Sequence, residues 1–106
     1  MAAPTINLPH DSAVTHTNGT ASGVAGDKLA AATARRCYLF IQNLSSTSGE
    51  DIHVAFGATA TTSHPVIAPG EAWESPAHWC PQEAVNLISA AGTPKYAIMS
   101  AGSGGQ

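Results

Sequence analysis

The chain has 106 residues, of which 43% are hydrophobic, 10% charged and 6% aromatic, and its formal net charge is −3. That length fits one domain and leaves no room for separate cofactor and substrate domains. Four basic residues (Lys28, Arg35, Arg36 and Lys95) are too few for a nucleic-acid footprint, and no apolar run approaches the roughly 20 residues of a membrane helix.

Residues 1–34 contain Pro4, Pro9, Gly19, Gly23 and Gly26 and no aromatic residue. Their apolar anchors are sparse: Ile6, Leu8, Val14, Val24 and Leu29. Such a segment buries too little apolar surface to offset its ordering entropy, so it reads as an extended N-terminal arm that binds a partner through those five residues. Within it, 12–17 is a candidate strand, Asn18-Gly19 a turn signal, and 27–32 a candidate helical turn capped by Asp27. Met1-Ala2-Ala3-Pro4-Thr5 has neither a basic segment nor an apolar core, so no secretory signal is expected there.

Residues 35–101 read as about six short strands with turn chemistry between them, the pattern of a small antiparallel β-sandwich or jelly-roll-like module. The run 37–44 is nearly continuous in β-formers and predicts a central strand. In 52–56 the alternation places Ile52, Val54 and Phe56 on a core face and His53 and Ala55 outside. Val66-Ile67 and 72–74 flank Pro69-Gly70, which suits the central positions of a type II turn. The runs 85–90 and 96–100 complete the set, with Leu39, Ile41, Val54, Phe56, Leu87 and Ile98 as the expected core. Residues 102–106 read as a flexible tail. A module of about 67 residues has a small core, so oligomerisation or docking on a larger body is expected to supply the missing burial.

No chemistry-bearing constellation stands out. The five histidines and two cysteines lack metal-ligand spacing, so no metal and no cofactor are expected. Cys37 and Cys80 read as thiols, with a single disulfide between them as the alternative. Glu71 and Glu74 flank Trp73 beside a tight turn rather than facing each other across a cleft, and no Gly-x-Ser-x-Gly element occurs, so no enzyme is expected. Trp73 and Trp79 admit a carbohydrate-binding reading, whereas His78 and Trp79 also suit a subunit interface.

Several motifs occur in order: Arg35-Arg36 before an apolar strand ending Ile41-Gln42-Asn43-Leu44-Ser45, a strand closing on Phe56-Gly57, and Ile67-Ala68-Pro69-Gly70-Glu71 before a final hairpin. This set resembles small virion accessory proteins of tailed bacteriophages. The resemblance implies a non-enzymatic capsid decoration or cement protein on the phage head surface, made in the host cytoplasm. Its partners would be the major capsid protein and itself, as a trimer or dimer, without nucleic acid or membrane. A head-tail adaptor or tail accessory protein is the alternative within the same kind of particle.

Overall fold

The computed structural model describes residues 13–32 and 35–102. Eight strands account for its regular structure: β1 (Ala13–Thr20), β2 (Gly26–Leu29), β3 (Arg36–Asn43), β4 (Ile52–Phe56), β5 (Val66–Ile67), β6 (Ala72–Glu74), β7 (Val85–Ser89) and β8 (Lys95–Gly102). They form two four-stranded antiparallel sheets, ordered β1-β8-β3-β6 and β2-β7-β4-β5. Each step along the chain changes sheet except β4 to β5, which is jelly-roll wiring.

Register follows from which side chains must leave water. In the first sheet a row runs from Trp73 through Ile41 and Ile98 to Thr17. In the second, Val54 lies opposite Leu87, and Ile52 opposite both Ile67 and Ser89. The core between the sheets is built from Leu39, Ile41, Ile52, Val54, Ile67, Val85, Leu87, Tyr96 and Ile98, with Leu29, Phe56, Trp73 and Cys80 packed against it. Pro69-Gly70 forms the turn between β5 and β6: Glu71 N donates to the Ala68 carbonyl at 2.9 Å, and Gly70 takes φ +80°.

The structure corrects the sequence reading in three places. Residues 13–20 and 26–29 are strands of the two sheets rather than an arm outside the module, because β1 pairs with β8 over eight residues and β2 pairs with β7. Their side chains bury little, but backbone pairing to a buried neighbour supplies what composition does not show. For the same reason 27–32 holds part of β2 instead of a helical turn, and Asn18-Gly19 lies inside β1. Gly19 is required there by Tyr96: a Cβ at that position would meet the phenol oxygen at 2.6 Å. Ile6, Leu8 and the remainder of 1–12 lie outside the described residues.

The third correction concerns His53 and Ala55, which are buried, not outward. The 57–64 loop folds back over the outer face of the second sheet. Ala60 N donates to Asn86 Oδ1 at 2.8 Å, and His53 Nδ1 donates to the His64 carbonyl at 2.9 Å. Period-two alternation reports which face meets the opposite sheet; it cannot report a loop that covers the other face.

Candidate assembly surface

A sandwich of two open sheets has two sides on which edge strands lie next to each other. On one side here stand β1 and β2, on the other β5 and β6. Each edge presents backbone N–H and C=O groups with no strand beside them among the described residues, a template for pairing with another chain. β1 is the longer template: eight residues with no proline and no charged side chain to blunt it. β5 and β6 are only two and three residues long.

Exposed apolar side chains gather on these sides. Val14 and Val24 belong to β1 and to the β1–β2 connection, with Val24 78% exposed. Val66 on β5 is 52% exposed, and Trp79 in the β6–β7 loop is 54% exposed. Because β5 and β6 belong to different sheets, the sandwich is parted along this side. A cleft of about 460 Å³ opens there, lined by Val54, Phe56, Ile67, Trp73 and Trp79. The Trp73 and Phe56 rings meet with centroids 5.4 Å apart at 44°.

The loop carrying His78 and Trp79 is held from below by Arg36, whose side chain is buried. Arg36 Nη1 donates to the carbonyls of Pro81 (2.9 Å) and Glu83 (3.1 Å), and Nη2 to that of Ala30 (2.9 Å). The Gln82 amide completes the clamp: its Oε1 accepts from Arg36 N at 2.7 Å and its Nε2 donates to the Arg36 carbonyl at 2.6 Å. Burial lowers the Arg36 pKa from its ordinary value, against the opposing pull of Cys80 and Glu83.

At the other end of β3, the Asn43 side chain is fully buried. Its Nδ2 donates to the carbonyls of Glu50 (2.8 Å) and Ile67 (2.9 Å), and its Oδ1 accepts from Ser45 N (3.0 Å). One amide thus ties both sheets together beside the Pro69-Gly70 turn. Sequence reasoning missed both residues. Their signal was a charge at the start of an apolar strand and an asparagine at its end, where β-propensity disfavours it.

The other sequence-selected residues have plain positions. Leu39, Ile41, Val54, Leu87 and Ile98 are buried, and Phe56 and Leu29 are partly so. His78 is exposed beside Trp79. Glu74 accepts a hydrogen bond from the Tyr38 hydroxyl at 2.5 Å, and Glu71 accepts one from Ala68 N at 3.3 Å. Among the described residues, no three of His, Cys, Asp or Glu come together in a way that would hold a metal ion.

No protein-family model matches the chain, and no curated protein matches it. Among solved structures, the chain is similar to one described by the words "Bacillus endospore appendages form a novel family of disulfide-linked pili". The likeness has a TM-score of 0.54 at 15% identity and covers 93% of this chain and 97% of that chain. It is a likeness of fold.

That finding overturns the phage reading. The chain's fold is shared with a pilus structure, so the capsid decoration role, the phage-head location and the major capsid protein partner are withdrawn, as are the head-tail adaptor and tail accessory alternatives. The motifs behind the resemblance have structural work inside the sandwich. Asn43 and Ser45 close one end of it, and Pro69-Gly70-Glu71 makes the β5–β6 turn. The carbohydrate-binding alternative is withdrawn on the same likeness, and Trp73 is engaged with Phe56 and the core.

Proposed function

We propose that this chain is a non-enzymatic structural subunit that polymerises with copies of itself into a filament exposed outside the cell. The observation that carries the reading is the likeness to a pilus structure over nearly the whole of both chains. The unblunted β1 edge and the parted β5–β6 side support it physically. They differ in kind and lie on opposite sides of the subunit. A contact between unlike sides is heterologous, and heterologous contacts propagate instead of closing into a pair. Segment 1–12, with Ile6 and Leu8, contributes to the contact between copies in this reading.

The test uses the full chain, purified and concentrated, with sedimentation and negative-stain microscopy as readouts. Filaments or a ladder of oligomers growing with concentration are expected. Val14→Lys and Val66→Lys, each on an exposed edge position, should abolish them while leaving the subunit's melting temperature unchanged. A wild-type chain that stays monomeric at the highest attainable concentration would overturn the proposal.

A further inference from the structure

The Arg36 end of the sandwich brings together the two thiols that the assembly reading does not use. Cys37 follows Arg36 in β3, and Cys80 precedes Pro81, whose carbonyl is bound by the Arg36 guanidinium. The Gln82 side-chain amide donates to the Arg36 carbonyl at 2.6 Å and to the Cys80 carbonyl at 2.9 Å. The Arg36–Cys37 peptide and the Cys80 backbone therefore lie on either side of a single amide group.

Ser75, in the same loop, is tied to β3: its Oγ accepts from Leu39 N at 3.0 Å and its own N donates to the Leu39 carbonyl at 2.8 Å. The Cys80 side chain packs against the core at this end. The register between β3 and β8 shifts between Arg36 and Tyr38, so Cys37 sits at a β-bulge, a device that re-aims a side chain out of the regular ladder.

Both cysteines are half-buried thiols. Their hydrogen bonds are weak: Cys37 Sγ donates to the carbonyls of Ala101 and Gly102 at 3.3 and 3.6 Å, and Cys80 Sγ to that of Pro81 at 3.7 Å.

We propose that Cys37 and Cys80 form one reversible intrachain disulfide, which locks the β6–β7 loop onto β3. The oxidant is a small-molecule disulfide. One cysteine thiolate attacks it, forming a mixed disulfide and expelling a thiolate. The second cysteine, deprotonated, attacks the protein sulfur of that mixed bond and expels the other thiolate. The chain loses two protons and two electrons, and the oxidant is reduced to two thiols. The inference does not rest on the filament reading, since it concerns bonds within one subunit.

The experiment equilibrates the full chain, dilute, with glutathione disulfide or with dithiothreitol, traps remaining thiols with iodoacetamide, and reads intact mass, cross-linked peptides and melting temperature. After trapping, the oxidised monomer should be lighter than the reduced one by two carbamidomethyl groups, since it takes up none. Digestion should yield one peptide pair joining Cys37 to Cys80. Its melting temperature should rise by roughly 15–20 °C, as expected for closing a loop of this length. Cys37→Ser and Cys80→Ser should each abolish the cross-link, and each variant should melt at the same temperature with and without oxidant. Two alkylatable cysteines after oxidation, or cross-links found only between chains, would overturn it. Neither outcome bears on whether filaments form, which is read separately.

Discussion

At one end of β3 the sandwich is closed by Asn43, a neutral amide with partners for both donors and its acceptor in the β3–β4 loop and β5. At the other end it is closed by Arg36, a buried guanidinium bonded to three carbonyls, with two thiols beside it. An amide gives up little on burial once its hydrogen bonds are met. A cation gives up much more, and carbonyl dipoles return only part of it. The Asn43 end therefore rests on short segments already fixed by strand pairing. The Arg36 end rests on a loop, 75–84, that must stay in place for the charge to be solvated. The same fold thus has a rigid end and a conditional one.

The comparison is broken or sharpened by substitution at either end, measured by urea unfolding under reducing conditions. The largest expected effect is at the conditional end. Arg36→Met should cost on the order of 4 kcal/mol, because the carbonyls of Pro81, Glu83 and Ala30 lose their donor together, the first of them buried. It should also raise hydrogen exchange across 75–84 more than elsewhere. Asn43→Leu should cost about 3 kcal/mol, since two carbonyls and one N–H lose their partner. Its exchange increase should be shared between both sheets. Equal, uniformly spread losses from the two variants would erase the distinction.

A smaller effect comes from alkali. Burial raises the pKa of Cys80 above its ordinary 9.0 and of Tyr96 above 10.0, while burial and the hydrogen bond to Glu74 hold Tyr38 far above 10.0. In each case the folded chain keeps a proton that the unfolded chain releases. Their stabilising contribution is complete below pH 9 and is lost as pH rises past the thiol range and then the phenol range. Urea midpoints should fall accordingly, and Tyr38→Phe should flatten the fall more than Tyr96→Phe. The smallest effect is at the turn. Gly70→Ala meets open space but holds φ +80°, so about 1 kcal/mol is expected. A loss several-fold larger would show that the turn, whose Gly70 N donates to the Asn43 carbonyl, is what keeps Asn43 in place.

The β-sandwich was legible from residue 35 onward because that half is written in alternating β-formers punctuated by glycine and proline. The edge strand β1 was only half legible. Its residues toward the core include Thr17 and Gly19, opposite Ile98 and Tyr96, and its order comes from backbone bonds that no side chain announces. Arg36 was counted among four basic residues that make a surface, and nothing local says that its charge turns inward. His53 and Ala55 were misplaced because the loop that covers them contacts them through Asn86 and His64, distant in sequence. The assembly surface was the least legible part. Trp79 was noted, but the cleft beneath it exists only once β5 and β6 are assigned to different sheets.

β8, the last strand, lies between β1 and β3 and pairs with both along its length. A nascent chain therefore cannot close the first sheet until residues 95–102 have left the ribosome. Until then β1 has no strand beside it in this sheet and β3 has only β6, and another copy's β8 offers the same fit. A cell making many copies at once depends on how quickly each chain captures its own final strand, so synthesis rate and local crowding enter the yield of correctly wired subunits.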